Sequence, residues 1–307
     1  MPLIAAGSVA MAAGLDRLVA EPPAALHPIA LLGRGIDHLD RAWTHPRAAG
    51  VGVALVVPLL AAAVAAGSVA VGAQWHALLG AAVAGLVCFV ATSRRMLLDE
   101  ARAVVAASET DLPAARERLR SLAGRDATPL SARQVRSAAV ESAAENLADG
   151  LVAPLAGFAL LAPFSLSAAA GAAAWIKAVN TLDSILGYRT KPMGWAPARL
   201  DDLVMWVPAR VSAGLLAVAA GKPQAVRGAR SLARRPASPN SGWPMATLAV
   251  LLGVRLEKPG AYALDGGASG VQADDALPTR ADADRGVALV ARAGWLAFGL
   301  AGVIALC

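Results

Sequence analysis

The chain has 307 residues, 57% of them hydrophobic and only 16% charged, where an ordinary soluble domain carries roughly 25% charged residues. The formal charge is +6, yet the largest polar stretch, 93–149, holds nine Arg and nine acids, so no basic face for nucleic acid emerges. Two cysteines without metal or disulfide spacing exclude a stapled secreted domain, and what remains is all-α: a polytopic helical integral membrane protein with polar helical loops.

Apolar segments follow one another along the chain. Residues 2–15 are short for a span and lack a basic leader, so they read as a first membrane or interfacial helix that is retained. A polar stretch, 16–50, precedes two uncharged runs, 51–73 and 76–92, separated at Gln74 and His76. They read as a helical hairpin, which puts 16–50 and 93–149 on one side of the membrane.

Within 93–149, Asp111 reads as an N-cap, Pro113 as first-turn and Gly124 as helix end; a second, Ala-rich helix starts near Thr128 and runs into the membrane. The uncharged segment 150–176 is interrupted by Pro154, Pro163 and Ser165-Leu166-Ser167. It is either one span or two half-helices that dip in and return, since irregular backbone is tolerated only under cover.

Residues 177–202 are polar, and 203–220 are apolar with Pro208 and Arg210 inside. Residues 221–243 carry five Lys or Arg, the positive-inside pattern of cytoplasmic loops. An apolar patch, 243–254, leads to a Gly/Ala/Asp-rich stretch, and 286–306 is the last span. The expected organisation is one membrane-embedded domain, 1–307, with 93–149 as a polar helical cytosolic loop and 256–285 as a flexible loop.

Polar residues collect at the edges of the apolar runs. At 100° per residue, Glu141, Glu145 and Asp149 fall at about 0°, 40° and 80°, with Asn146 at about 140°. Three carboxylates on one stripe repel each other and call for a cation or a charged ligand, Mg²⁺ on substrate phosphates among them. A solvated helix end partnered by Arg133 or Arg136 is the plainer reading.

Taking Lys177 as 0°, Asn180, Thr181, Ser184 and Tyr188 lie within about 60° of it, whereas Asp183 points elsewhere. One ammonium with neutral hydrogen-bonding neighbours suits a phosphate; a snorkelling interfacial Lys is the alternative. Arg199, Asp201 and Asp202 precede an apolar run that contains Arg210. An Arg inside a span is costly and marks a site, and paired aspartates at a helix start hold a metal or complement the helix dipole. Ser238, Asn240 and their prolines form a turn-rich loop. His27, His38 and His45 lack metal-ligand spacing.

Together, "ESAAENLADGLVAPL", "KAVNTLDSILGY", "GWAPARLDDLVMWVPAR" and "SPNSGWP", in this order and after an opening "D….EP….HP…LG", resemble the cobalamin-biosynthesis family called CobD or CbiB, adenosylcobinamide-phosphate synthase. The resemblance covers nearly the whole chain. It departs at Ala20-Glu21, where the family has Gly-Asp, at Pro236-Ala237, and at Met245, where the family has an acid.

The resemblance implies ATP-dependent amide ligation of adenosylcobyric acid with (R)-1-amino-2-propanol phosphate or a related amino alcohol. It implies Mg²⁺ and ATP, no prosthetic group, corrinoid and amino-alcohol phosphate substrates, and other corrinoid-pathway enzymes as candidate partners beside the lipid bilayer. The expected place is the inner membrane, multi-pass, with the active face cytosolic.

On these grounds Glu141, Glu145, Asp149 and Lys177 are the catalytic candidates. Asn146, Asn180, Thr181, Asp183, Ser184, Arg199, Arg210, Ser238, Asn240 and His27 are expected to bind substrate, and Asp201 and Asp202 a metal. Which carboxylate is base and which is metal ligand stays open. A transporter of a small polar or corrinoid solute, and a non-catalytic membrane sensor or scaffold, are the competing functions.

Overall fold

The structure, a computed structural model, describes residues 2–22, 25, 27–123, 126–188, 191–267, 272 and 274–307. Its helices are α1 (Pro2–Val19), α2 (Pro28–Asp37), α3 (Pro46–Trp75), α4 (Ala77–Ala91), α5 (Arg95–Thr110), α6 (Leu112–Leu122) and α7 (Ala132–Asn146). After a π-helical turn, Leu147–Val152, come α8 (Ala153–Leu161), α9 (Leu166–Leu186), α10 (Trp195–Val204), α11 (Trp206–Ala219), α12 (Ala225–Ala229) and α13 (Gly242–Leu252). Strands β1 (Arg255–Lys258) and β2 (Tyr262–Asp265) precede α14 (Arg280–Ile304). Among the described residues, five helical stretches are long and apolar enough to cross a membrane: 2–19, 46–75, 77–110, 132–161 and 280–304. The stretches 192–204 and 206–219 make a sixth only as a pair bent by 47°. The protein is a polytopic helical membrane protein.

The chain forms two compact units, where the sequence reads as a single domain. One comprises 1–93, 149–205 and 297–307; the other comprises 94–148 and 206–296. Two of the boundaries, Ala148/Asp149 and Leu296/Ala297, fall inside helical runs, so no linker composition announces them.

In the first unit, His76 ends α3 and caps α4, its ring accepting the Leu78 N–H at 3.2 Å, which makes the expected hairpin. The 150–176 question resolves into a helix pair: the chain turns at 162–165, and Ser165 caps α9 by accepting the Ala168 N–H. The Ala- and Gly-rich first half of α9 lies along α3 because small residues let backbones approach closely; a methyl on Gly171 would sit 3.2 Å from the Ala62 carbonyl. The far end of α9 is fixed differently. Leu182 and Leu186 are buried with Ile36 of α2 and Met193, and Leu32, Trp43 and Val57 pack around them. Emptying one such Leu position costs about 2–5 kcal/mol in a packed core. This cluster ties α2 to the half of α9 that carries Lys177.

In the second unit, Asp111 caps α6 as expected, accepting the Ala114 N–H at 3.0 Å. The expected helix end, Gly124, lies outside the described residues. Helix α7 starts four residues later than Thr128: Ser131 and Gln134 form a reciprocal capping box, and that pair rather than the Thr-Pro sets the start. Residues 255–265, expected as part of a loop, are an antiparallel hairpin in the register Arg255↔Asp265 to Lys258↔Tyr262. Gly260, at φ +75°, supplies the left-handed residue of its turn. Arg136 donates to the Pro278 carbonyl at 3.0 Å and to Ser108, so α7 also holds the approach to α14.

Candidate active site

The first unit gathers a charged cluster around α9. Lys177 is half-buried, and the acids that act on its ammonium are Glu21 and Asp149. His27, 7% exposed, caps α2: its Nδ1 accepts the Ile29 N–H at 3.2 Å. Its Nε2 then carries the proton and lies 3.5 Å from a Glu21 carboxylate oxygen. Burial holds the His27 pKa below its ordinary value; Glu21 pulls it up and Lys177 pushes it down, and burial prevails. A neutral imidazole therefore backs Glu21, and the charges of Glu21 and Asp149 both favour the Lys177 ammonium.

Asn180, Thr181 and Ser184 extend the same face. The Thr181 hydroxyl donates to the Lys177 carbonyl at 2.8 Å, and the Ser184 hydroxyl to the Asn180 carbonyl at 2.9 Å. Tyr188 leaves this face. Helix α9 ends at Leu186, and Tyr188, beyond Gly187, places its ring 5.5 Å from the Lys191 ammonium. Asp183 is folded over Gly187, where a β-carbon would overlap its carboxylate; only glycine ends the helix there.

Asp149 does not continue an ideal α-helical stripe. It sits in the π turn, whose i→i+5 bonding changes the angular spacing from that of an α-helix. The cause is readable: Pro154 has no N–H to give the Gly150 carbonyl four residues back, and the Ser93 N–H takes that carbonyl at 2.9 Å instead. Arg199 and Asp202 approach at 3.8 Å on α10, with Arg199 largely exposed and Asp202 half-buried. Asp201, its neighbour, is 8% exposed. Among the described residues no three His, Cys, Asp or Glu side chains come together as a metal cage. A hard cation such as Mg²⁺ brought in on phosphate oxygens needs only one or two carboxylates, a number that these aspartates supply.

The second unit holds the remaining candidates. Glu141, expected on an open stripe, is fully buried: it accepts the Ser137 hydroxyl at 2.9 Å and the Tyr262 hydroxyl at 2.8 Å. Ser137 in turn accepts the Glu257 N–H at 2.8 Å, so this carboxylate ties the hairpin to α7. The burial follows from the hairpin, in a stretch whose composition reads as loop. Glu145 is half-buried, and Asn146 donates back to the Ser142 carbonyl of its own helix at 3.0 Å.

Arg210 sits between two rings, its guanidinium carbon 4.4 Å from the centre of Trp206 and 5.1 Å from that of Trp243. It donates to Asn240 Oδ1 at 2.7 Å and to the carbonyls of Trp206 and Pro239. Ser238 accepts the Asn240 N–H at 3.2 Å, closing the turn. Four residues outside the expected set join these candidates: Glu21 beside His27, Trp206 and Trp243 around Arg210, and Tyr262 on Glu141. Trp206 and Trp243 lie inside the quoted motifs, four residues before Arg210 and three after Asn240, and that proximity was the available signal.

These features define a class first: a multi-span helical membrane protein with polar, charged helix faces suited to an anionic or zwitterionic ligand. The chain matches the family described as "CobD/Cbib protein" over residues 9–290. It is 38% identical over 274 residues to a cobalamin biosynthesis protein CobD of Geobacter metallireducens, covering 84% of this chain and 83% of that one. It is 35% identical over 306 residues to one of Rhodobacter capsulatus (94% and 93%), and 33% over 298 residues to a probable one of Methanothrix thermoacetophila (92% and 91%). No solved structure matches. The chain belongs to the CobD/CbiB family, and its role lies in cobalamin biosynthesis.

Proposed function

We propose that the protein joins adenosylcobyric acid to (R)-1-amino-2-propanol phosphate, or a closely related amino alcohol, in an ATP-dependent amide ligation that yields adenosylcobinamide phosphate. The observation that carries this reading is the charge pattern around Lys177 in a chain of this family: one ammonium acted on by Glu21 and Asp149. An amino-alcohol phosphate is the complementary zwitterion, an anionic phosphate at one end and an ammonium at the other.

An ionised acid and an ammonium do not condense in water, so the corrinoid carboxylate must be activated. Its oxygen attacks the γ-phosphorus of ATP; the bond to the bridging oxygen breaks, ADP leaves and an acyl phosphate forms. Lys177 holds the phosphate of the incoming amine, and Asp149 takes a proton from its ammonium. The freed amine attacks the acyl carbon, and inorganic phosphate departs. Asn180 and Thr181 orient the amino alcohol through hydrogen bonds. Asp202 would meet a nucleotide-borne Mg²⁺, which when bound would neutralise phosphate charge. The active face is cytosolic in the cell's inner membrane, where ATP is supplied.

The test is purified protein in detergent with adenosylcobyric acid, the amine phosphate and Mg-ATP, read by corrinoid mass and by nucleotide product. The expected result is an amide-linked corrinoid phosphate with one ADP formed per amide. Folded protein that gives no amide, or that gives AMP in place of ADP, would remove the ligase reading or its acyl-phosphate step respectively.

A further inference from the structure

A cavity lies wholly within the second unit, lined by residues to which the steps above give no role. It has a volume of about 910 Å³ and is bounded by the start of α11, residues 230–234 and the turn 236–243. Small-molecule sites span about 300–1,000 Å³, so the space is that of a nucleotide rather than of a single anion.

Its lining is unbalanced in charge. Arg210, Arg230 and Arg234 face it, and no carboxylate does. Arg230 and Arg234 are exposed and make no ion pair among the described residues. Like charges gathered without an acid repel each other, and an anion that bridges them removes that repulsion. Arginine forks match phosphate oxygens two at a time. A triphosphate with three to four negative charges balances three guanidiniums, whereas a single phosphodiester headgroup leaves most of that charge uncompensated.

The opposite wall is aromatic and held in place. Arg210 is fixed by its bonds to Asn240, Pro239 and the Trp206 carbonyl, and it lies between the rings of Trp206 and Trp243. Trp206 is nevertheless 54% exposed, so its ring retains open surface on which a second planar group can stack. Arg210 acts here as a positioning residue, since it sets both rings, while Arg230 and Arg234 present exposed guanidiniums to the cavity.

We propose that this cavity binds a nucleoside triphosphate, its base stacked on Trp206 and its phosphates bridged by Arg230 and Arg234. The charge and the aromatic wall are observations of this chain; the choice of a nucleotide as their occupant rests on the ligase reading. An anionic phospholipid headgroup shares the phosphate chemistry, and the experiment separates the two.

Full-length protein in phosphatidylcholine nanodiscs is photolabelled with 8-azido-ATP, the labelled peptide is mapped by mass, and displacement is followed with ATP, tripolyphosphate and phosphatidylglycerol. Label is expected within residues 206–243, displaced by ATP, less well by tripolyphosphate, and not by phosphatidylglycerol. Arg230→Gln and Arg234→Gln should each weaken ATP binding about tenfold or more. Trp206→Ala should weaken ATP binding and spare tripolyphosphate. Arg227→Gln, which lies outside the lining, should change nothing.

Label on other peptides, or unchanged ATP binding in the Arg230→Gln/Arg234→Gln double variant, would overturn the assignment. Displacement by phosphatidylglycerol but not by ATP would overturn it in favour of a lipid headgroup. Wild-type amide formation with unaltered ATP binding in the double variant sinks this cavity and leaves the ligase standing. Nucleotide bound here without any amide formed sinks the ligase and leaves the cavity.

Discussion

Lys177→Ala is the sharpest test of the α9 site. The ammonium is acted on by Glu21 and Asp149, so its removal leaves the influence of two carboxylates on a bound phosphate without that positive charge. A hydrogen bond to a charged group contributes about 1.5–3 kcal/mol, so the apparent KM for the amine phosphate should rise roughly tenfold to hundredfold. Repulsion from the two acids pushes the change toward the upper end. The unphosphorylated amino alcohol should suffer much less, because its ammonium still meets Asp149. The ratio of the two KM values therefore reports the phosphate contact alone. Lys177→Arg should restore binding in part, since a planar fork replaces a compact ammonium. The assay is steady-state amide formation with each amine, on protein whose thermal unfolding matches wild type. Well-folded Lys177→Ala protein with an unchanged KM for the amine phosphate would refute the assignment.

The remaining predictions address the supports of the two units. His27 has a folded-state pKa below the ordinary 6.5 because it is buried, so the unfolded chain binds more protons in the interval between the two values. Stability from neutral His27 is thus present above 6.5 and lost as pH falls through the lower value; His27→Gln should flatten that part of the stability–pH curve, and an identical curve would count against a buried neutral cap. Tyr262→Phe removes the 2.8 Å donor to fully buried Glu141 and should cost about 1.5–3 kcal/mol in denaturant unfolding, with no loss expected if the carboxylate were solvated. Asp202→Asn should raise the Mg²⁺ concentration needed for half-maximal amide formation while leaving membrane insertion intact; unchanged Mg²⁺ dependence returns Asp202 to its role beside Arg199.

The helical membrane class was legible because uncharged runs of membrane length leave no other solution, and local caps such as Asp111 and His76 were legible because a single side chain decides them. The division into two units was not. It depends on which helices pack together, and two of its boundaries, Ala148/Asp149 and Leu296/Ala297, cut through continuous helical runs. The β-hairpin escaped for a related reason: four-residue strands such as Arg255–Lys258 carry little alternation to read, and their stability comes from Glu257 and Tyr262 binding α7 from a distance of over a hundred residues. Once that hairpin is in place, Glu141 passes from an open stripe to a buried tie, although its sequence neighbourhood has not changed.

The α9 face shows the opposite case. Helical spacing alone placed Lys177, Asn180, Thr181 and Ser184 together, because one uninterrupted helix carries all four. Spacing failed at Tyr188, where the helix had already ended at Leu186, and at Asp149, where Pro154 denies the Gly150 carbonyl its donor and the chain relaxes into a π turn. Both failures occur where the polar face meets the rest of its surroundings. A regular helix presents its side chains at fixed angles, and a local loss of regularity turns the side chains beyond it to new directions. The proline in "DGLVAP" breaks a hydrogen bond that an alanine would have kept, and the turn it leaves is where the Asp149 carboxylate acts on the ammonium.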